Sequence, residues 1–293
     1  MADCLLPFLF EGGDVRGAVV SLDAAWRDVL SRRAYPAPVR SLLGEAMAAA
    51  ALLSSTLKFD GRLVLQAQAE APDAAVRLMV VECDARLGLR ATAKLGDSAA
   101  GRDGGGLAEL LGGGRLVITL DPPDGQVAYQ GVVDLEGADL AQALQAYMAK
   151  SEQIDTRFVL AADDRRAVGC LVQRLPGHGA AAALWEDASL IARTMSPEEL
   201  LGLAPHEAVR RLYHAYDLRI FAERAAAFRC RCSRERVADM LRMLGRAEVD
   251  SIVAERGAVS VDCDFCHQSY GFDAIDAARL FLVDAAAGPD TRH

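Results

Sequence analysis

The chain has 293 residues, of which 52% are hydrophobic and 25% charged, and its formal net charge is −9 at pH 7. This composition supports a packed core and excludes a wholly disordered chain. A general binder of the nucleic-acid backbone needs a basic face, so the acidic balance argues against that class. The length suits a main domain with a smaller appended one.

The cysteine content points to a reducing compartment. Seven Cys, an odd number in a chain this long, do not form the pattern of a secreted disulfide scaffold. The N-terminal apolar run is broken by Pro7 and ended by Glu11, with no basic residue before it, and so is not a signal peptide. No uninterrupted apolar stretch reaches the length of a membrane span. We therefore expect a cytoplasmic protein with no membrane partner.

The first part of the chain predicts a mixed α/β body. A strand is predicted over 14–22, then a helix to Leu30 capped by Asp23, and then a long, Ala-rich buried helix over 39–57. Alternating or continuous apolar runs predict further strands at 63–67, 78–81, 87–91, 117–120, 128–133, 158–161 and 168–174, with a helix at 140–150.

A change of pattern at Pro176-Gly177-His178-Gly179 marks a boundary. Beyond it, a helix is predicted over 180–195, and Ser196 with Glu199 has the spacing of a capping box at the start of the next helix. Another helix starts near Pro205, and residues 218–228 read as extended. The predicted domains are a body at 1–177, a helical linker at 178–226 and a cysteine-rich domain at 227–293.

Four of the seven Cys form two close pairs near the C-terminal end. Cys230-Arg-Cys232 is followed 30 residues later by Cys263-Asp-Phe-Cys266, across residues predicted to fold as helices at 235–244 and 248–256 and a strand at 259–261. A four-thiolate zinc site is typically built from two close pairs of cysteines with a folded segment of chain between them. We predict one Zn²⁺ per chain, with His267 as a less favoured substitute ligand.

The Cys-x-Cys half of this motif is tighter than the usual spacing of zinc ligands. It brings two sulfurs close enough to join as a disulfide when the metal leaves, which indicates a switch and not a permanent staple. The other cysteines, Cys4, Cys83 and Cys170, lie in apolar or strand-like settings and are expected to be buried, inert thiols.

The two cysteine pairs and the residues around them resemble those of a known family. The run Phe228-Arg-Cys230-Arg-Cys232-Ser-Arg-Glu-Arg236, with Cys263-Asp-Phe-Cys266 and Tyr270-Gly-Phe-Asp273, closely resembles the zinc-binding end of the redox-regulated 33-kDa heat-shock chaperone (holdase) family. Other stretches resemble it as well, so that the likeness spans nearly the whole chain: Val15-Arg-Gly17, Leu42-Leu-Gly-Glu45, Leu57-Lys-Phe-Asp-Gly61, Ser151-Glu-Gln153, Thr156-Arg157 and Gln173.

The resemblance implies an α+β protein made of a substrate-binding body, a helical linker and a small zinc-binding redox sensor. It implies an ATP-independent chaperone that holds unfolding proteins and prevents their aggregation under oxidative and heat stress. The reduced, zinc-bound form is then inactive. Oxidation forms the disulfides Cys230–Cys232 and Cys263–Cys266, releases zinc and gives an active homodimer. No catalytic residue or organic cofactor is expected.

The linker carries apolar side chains that we expect to pack on the body when it is folded and to bind clients when it is not. A connector with no client role is the simpler alternative, and the resemblance favours the switch. The residues concerned are Leu184, Trp185, Leu190, Ile191, Leu200, Leu201, Leu212 and Tyr213.

Two other classes of function fit the sequence less well. A zinc-ribbon-like nucleic-acid-binding protein would use the basic cluster beside the first cysteine pair, but residues 226–293 hold nine Arg against eleven acids. An enzyme would use Cys263 and Cys266 as a thiol–disulfide redox motif, or the glycine triplets 104–106 and 112–114 as a phosphate loop. No βαβ frame surrounds the first, and no Lys-Ser/Thr follows the second. The basic cluster consists of Arg229, Arg231, Arg234, Arg236 and Arg242.

Overall fold

The structure, a computed structural model, describes residues 2–12, 14–56, 60–99, 106–123, 128–133, 135, 139–176 and 181–282. The chain divides into two compact units, Met1–Arg229 and Cys230–His293. The predicted boundary at 177–178 lies outside the described residues, as do most of the first glycine triplet and residues 57–59 of one family-like stretch.

The first unit is built from antiparallel strands and helices. In chain order its strands are β1 (Cys4–Phe10), β2 (Val15–Leu22), β3 (Arg62–Gln68), β4 (Val76–Asp84), β5 (Gly88–Leu95), β6 (Arg115–Asp121), β7 (Tyr129–Val133), β8 (Thr156–Ala162), β9 (Ala167–Arg174), β10 (Leu218–Ile220), β11 (Arg224–Ala225) and β12 (Ala227–Phe228). Its helices are α1 (Ala24–Leu30), α2 (Ala37–Thr56), α3 (Leu107–Leu111), α4 (Leu140–Lys150), α5 (Ala181–Ala192), α6 (Pro197–Gly202) and α7 (Pro205–Tyr213).

Two sheets form the frame of this unit. The first has the order β10-β1-β2-β9-β8, with β11 also paired to β1, and the second has the order β12-β5-β4-β3-β6-β7. Neighbouring strands are antiparallel except β12 and β5, which run parallel. The predicted strands and the predicted helices over 24–30, 39–57 and 140–150 are confirmed within a few residues.

Helix α2 packs between the two sheets. It contacts β2, β8 and β9 of the first sheet and β3, β4 and β5 of the second. Every residue from Ala46 to Leu52 is completely buried. A helix that is apolar on all sides needs partners on all sides, and the run of alanines allows both sheets to approach its backbone. The sequence prediction of a long, buried, Ala-rich helix is confirmed.

Helices α5, α6 and α7 cover the other face of the first sheet. Phe8 and Phe10 of β1 point to this face and contact Tyr213, whose ring centroid lies 5.7 Å and 5.0 Å from theirs. The Tyr213 hydroxyl donates to the Ala188 carbonyl at 3.0 Å. The helices that follow the body in sequence therefore belong to the first compact unit and share a core with it.

The predicted packing of the linker side chains is confirmed with one exception. Leu200, Leu212 and Tyr213 are buried, and four others are partly buried against the same cluster: Leu184, Trp185, Ile191 and Leu201. The expectation for Leu190 is wrong, because it lies on the outer side of α5 and is 61% exposed.

The segment after α7 is extended, as predicted, but it serves both sheets. Strands β10 and β11 pair with β1, whereas β12 pairs with β5, bringing Ala227 opposite Gly88 and Phe228 opposite Leu89. The guanidinium of Arg32 lies 4.5 Å above the Phe228 ring. The last part of the predicted helical linker is thus β-structure joined to the body.

Two local features at the N-terminus differ from the sequence prediction. Strand β1 does not follow from the sequence pattern, because Pro7 interrupts its apolar run. In the sheet, Pro7 lies in the gap between β10 and β11, which pair with β1 on either side of it. Its missing N–H therefore costs no hydrogen bond between strands. Asp23 makes no side-chain cap on α1. The Asp3 carboxylate instead accepts from the backbone N–H of Ala24 at 2.9 Å and Ala25 at 2.6 Å.

The second unit is a hairpin covered by helices. Its elements are α8 (Arg234–Leu244), α9 (Arg246–Arg256), β13 (Ala258–Asp262), β14 (Ser269–Asp273) and α10 (Ala274–Leu280). The predicted α8, α9 and β13 are confirmed, whereas β14 and α10 were not predicted. Its buried core among the described residues consists of Ala238, Leu241, Val249, Val259, Phe272, Ala277 and Leu280.

Candidate metal centre

The first cysteine pair lies directly before helix α8. Ser233, the residue after Cys232, is the N-cap of α8, and its hydroxyl accepts from the Arg236 amide at 3.2 Å. A capping serine needs an extended backbone, and Ser233 has φ −152° and ψ 160°. The helix start therefore fixes the direction in which the chain that carries Cys230 and Cys232 arrives.

The second cysteine pair lies in the turn between β13 and β14. The Cys263 amide donates to the Gln268 carbonyl at 3.0 Å, and the His267 amide donates to the Cys263 carbonyl at 2.8 Å. His267 has φ +57°, a left-handed conformation that tightens the turn. These bonds hold Cys263 and Cys266 at one end of the hairpin.

The four sulfur atoms converge on one point. All lie within 4.8 Å of one another, and the separations of Sγ atoms include 3.2 Å for Cys232–Cys266, 3.4 Å for Cys230–Cys232 and 3.6 Å for Cys230–Cys263. Four thiolates about 2.3 Å from a tetrahedral zinc ion are about 3.8 Å apart. The donor set and its spacing therefore fit one metal ion of the size and softness of zinc.

The sulfurs form a coupled acid–base group. Burial alone would raise the pKa of the Cys230 thiol, but hydrogen bonds from the Cys232 amide and from the neighbouring cysteines lower it to about 7. Burial raises the pKa of Cys263, and together with its sulfur neighbours it raises that of Cys266 to about 12. One thiol of the group thus loses its proton readily, and the negative charge that results disfavours deprotonation of the others unless a cation lies among them.

The hydroxyl of Tyr270 is a neighbour of the sulfurs that the sequence prediction missed. It donates to Cys232 Sγ at 3.1 Å, and this bond raises the pKa of the phenol to about 12. Tyr270 lies on β14 and Cys232 lies before α8, so only the folded arrangement brings them together. The only indication of Tyr270 in the sequence analysis is that it begins the family-like run Tyr270-Gly-Phe-Asp273.

The remaining candidate ligand, His267, is exposed and is not a member of the group. The four cysteines themselves are half-buried, so their sulfurs remain within reach of small molecules in water. Cys4, Cys83 and Cys170 are buried, as predicted. Burial raises the pKa of Cys4 to about 11 and that of Cys170 to about 12, which keeps them as unreactive thiols.

Several arginines of the basic cluster make contacts inside the second unit. Arg234 donates to Asp276 at 2.6 Å and lies 4.2 Å above the Phe272 ring. Arg242 donates to the Leu280 carbonyl at 3.1 Å, and Arg236 donates to the Arg231 carbonyl at 3.0 Å. These contacts join the start and end of α8 to the hairpin and to α10, which gives the arginines a structural role.

The glycine triplet at 112–114 forms a tight turn after α3, with Gly112 and Gly113 at positive φ. Within the described ranges, no helix is both long and apolar enough to cross a membrane.

The fold and site together define an α+β protein with a two-sheet body, a helical cover and a C-terminal unit that carries four clustered cysteines. A family model described as "Hsp33 protein" matches residues 3–273. The chain is 47% identical to a 33 kDa chaperonin of Chromobacterium violaceum, covering 99% of this chain and 98% of that one. It is also 47% identical over full length to a 33 kDa chaperonin of Ectopseudomonas mendocina.

The solved structure of a 33 kDa chaperonin (Heat shock protein 33 homolog) from Thermotoga maritima has the same fold. The TM-score is 0.78 at 21% identity, over 97% of this chain and 99% of that one. The chain therefore belongs to the Hsp33 family, and the resemblance noted from its sequence is confirmed.

Proposed function

We propose that the protein is a redox-regulated, ATP-independent chaperone that holds unfolding proteins under oxidative and heat stress. Membership of the Hsp33 family supports a chaperone function. The observation that supports the redox control is the convergence of four half-buried cysteine sulfurs within 4.8 Å of one another. The protein acts by binding, without catalysis, and its location is the cytoplasm, which its cysteine usage favours.

The proposed cofactor is one Zn²⁺ per reduced chain, with Cys230, Cys232, Cys263 and Cys266 as ligands. When bound, zinc supplies a tie between two distant chain segments and keeps four sulfurs as thiolates. Structural zinc contributes roughly 10–16 kcal/mol of apparent binding energy in small units. The second unit needs such a tie, because its described core consists of seven apolar side chains, of which two are alanines.

Activation is proposed to be the oxidation of two cysteine pairs. The two thiolates of a pair lose two electrons as one S–S bond forms, and one hydrogen peroxide molecule takes up these electrons and two protons from the solvent to give two water molecules. A sulfur in a disulfide is no longer a thiolate, so the pair ceases to hold the metal. Two such steps give Cys230–Cys232 and Cys263–Cys266, and each closes a loop too small to restore much stability.

The pairing rests on the family resemblance and on closeness in sequence. Sulfur distances alone do not select it, because Cys232–Cys266 at 3.2 Å is as close as Cys230–Cys232 at 3.4 Å. Peptide mapping of the oxidised protein by mass spectrometry distinguishes the two pairings.

Client binding is assigned to the apolar layer between the first sheet and helices α5–α7. Strand β12, which pairs with β5, ends at Phe228, two residues before Cys230, and we propose that unfolding of the second unit weakens this pairing and then the linker before it. Detachment of the linker would expose Phe8, Phe10 and Tyr213, which are at most 1% exposed in the folded state. Such a surface fits the exposed apolar segments of unfolding clients, and a second copy of the chain in the active homodimer.

The proposed division of labour keeps the three parts expected from the sequence. Residues 1–177 form the body, 178–226 the linker and 227–293 the redox sensor. No nucleic acid takes part in this scheme. Salt-dependent binding of DNA or RNA that ignores the redox state would support the alternative function of a zinc-ribbon-like nucleic-acid-binding protein.

The deciding experiment follows zinc release and client aggregation in one sample. We expect peroxide with mild heat to release about one Zn²⁺ per chain and then to suppress light scattering by a denatured client. The Cys4→Ala variant, which lacks a buried thiol outside the cluster, serves as the matched control and should respond like the parent chain. Equal suppression before and after oxidation, or a chain that binds no zinc, would contradict the proposal.

A further inference from the structure

A small cavity in the first unit is lined by residues of both sheets and of helices α2 and α4. Its volume is about 120 Å³. An apolar cavity of about 150 Å³ is large enough to hold benzene, so this one suits a branched aliphatic group or a small ring. Its apolar wall consists of Leu53, Leu63, Ile118, Leu120, Met148 and Ile154.

Arg16 of β2 lines this cavity with a half-buried guanidinium. Its Nε donates to Gln173 Oε1 at 2.9 Å, and its Nη2 donates to the same oxygen. Gln173 has no exposed surface, and its Nε2 donates to Thr156 Oγ1 at 3.0 Å. The guanidinium is therefore held in one orientation by a buried neutral amide.

The charge of Arg16 has no counter-ion within the described residues. Throughout the described parts of the chain, no carboxylate forms an ion pair with it, and the Gln173 amide uses only two of its five donors. Burial lowers the pKa of the group, yet an arginine stays protonated in a protein. Half-buried cations are ordinarily paired, because desolvation without a partner is costly.

Glu152 lines the same cavity but is engaged elsewhere. Its Oε1 accepts from the hydroxyls of Tyr147 at 2.6 Å and Tyr129 at 2.9 Å. Tyr129 is 49% exposed, so these groups lie where the cavity opens to solvent. Because Glu152 and Arg16 do not pair, a ligand can reach the guanidinium without displacing an internal salt bridge.

We propose that this cavity binds a short apolar carboxylate, whose carboxylate pairs with Arg16 while a compact hydrocarbon group fills the apolar wall. A plain carboxylic acid and a free apolar amino acid share this chemistry; the amino acid adds an ammonium group for the second oxygen of Glu152. None of the four cysteines lines the cavity. Four residues of the family-like stretches, none of them used by the redox switch, surround it or support it: Arg16, Glu152, Thr156 and Gln173.

The test titrates the full-length, zinc-loaded chain with two acids and their amides. The probes are 4-methylvalerate and L-leucine, with 4-methylvaleramide and L-leucinamide as analogues without the carboxylate. We expect millimolar binding of at least one acid by calorimetry, and binding of its amide at least about tenfold weaker, since a charged hydrogen bond is lost. Methyl NMR signals of Leu53, Ile118 and Met148 should shift on binding.

The relative strength of the two acids identifies the source. Stronger binding of leucine assigns Glu152 to the ammonium group, and stronger binding of 4-methylvalerate assigns the site to plain acids. Equal binding of an acid and its amide, or no binding by either acid, overturns the proposal. Because zinc stays bound throughout, these outcomes do not depend on the redox switch.

Two variants locate the carboxylate. Arg16→Met should abolish the preference for the acid over the amide, and Arg16→Lys should retain part of it. The matched control is Arg86→Met, which removes an exposed arginine from the β4–β5 turn and should bind like the parent chain. If Arg16→Met folds and still prefers the acid, Arg16 is not the partner and the proposal fails.

Discussion

The two units of this protein bury apolar surface on very different scales. In the first, α2 lies between two sheets, and a second apolar cluster fills the space between the first sheet and helices α5–α7. In the second, the described core is limited to a few side chains from α8–α10 and the hairpin. Small units rarely stabilise themselves by packing alone. From this comparison we expect the first unit to fold on its own core and the second to depend on the cysteine cluster and the metal proposed to bind there.

Removal of one proposed metal ligand is the strongest test of this difference. We expect Cys263→Ser to lose tight zinc binding, and with it much of the roughly 10–16 kcal/mol that such a site contributes. Hydrogen exchange followed by mass spectrometry should show lost protection across α8–α10 and unchanged protection in α2. The loss of α2 protection together with that of α8–α10 would contradict the independence of the first core, and Cys4→Ala again provides the control.

The second test loosens the helical cover of the first unit while leaving the metal in place. Tyr213 is 1% exposed and packs edge-on against Phe10. Truncating a buried aromatic residue costs about 3–5 kcal/mol, so Tyr213→Ala should detach α7 and make residues 181–213 sensitive to protease. We expect the reduced, zinc-loaded variant to suppress client aggregation without oxidant.

The exposed Leu190 offers a control on the same linker. Leu190→Ala should leave protease resistance and client binding unchanged, since this side chain is 61% exposed. If α5–α7 of the Tyr213→Ala protein become sensitive to protease and the protein still does not suppress client aggregation, then the apolar layer is not the client-binding surface.

The stability of the first unit is also expected to depend on pH, through the partly buried Glu45. Burial, with a smaller contribution from the Asp139 carboxylate, raises the pKa of Glu45 from 4.5 to about 7. Between these values the folded chain holds a proton that the unfolded chain releases, so the stability of this unit falls as pH rises through the window. Glu45→Gln should remove that loss and add about 1–3 kcal/mol above pH 7.

Urea unfolding at both ends of this pH window measures the effect. The control is Glu109→Gln on α3, where the side chain is exposed. A Glu45→Gln chain whose stability shows the same slope with pH as the parent would assign the dependence to another group.

The smallest expected effect concerns the rate of the switch. Tyr270 donates a hydrogen bond to Cys232 Sγ at 3.1 Å, which withdraws electron density from that sulfur. Tyr270→Phe should therefore speed peroxide-driven zinc release by a few-fold while leaving zinc stoichiometry unchanged. The control is Tyr216→Phe, which removes a hydroxyl of the first unit and should release zinc at the parent rate. Equal rates in all three proteins would show that the Tyr270–Cys232 hydrogen bond does not govern oxidation.

Local patterns predicted the elements whose residues carry their own signal. The alanine-rich α2, the capping box of α6 and the four clustered cysteines were readable because each depends on spacing within one stretch. Ser196 accepts from the Glu199 amide at 3.1 Å, as the capping-box spacing required.

The features that escaped prediction depend on distant partners. Strand β1 tolerates Pro7 only because its neighbouring edge is broken, and α1 is capped by Asp3, which lies about 20 residues earlier in the chain, directly before β1. The cavity around Arg16 combines residues far apart in the chain, from β2, β7, α4 and β9. Sequence spacing cannot indicate such meetings, since they are set by the order of strands in the sheets.

The position of α2 also has a consequence for the recovery step of the proposed redox switch. The face of the first sheet that receives helices α5–α7 is the reverse of a sheet already held by α2, so it keeps its shape when those helices leave. The helices lie next to β9 in the chain and need no new strand pairing with it to return. Structures with mainly local contacts fold fast, so if the proposed switch operates, we expect α5–α7 to return quickly to the preserved sheet face after the cysteines are reduced.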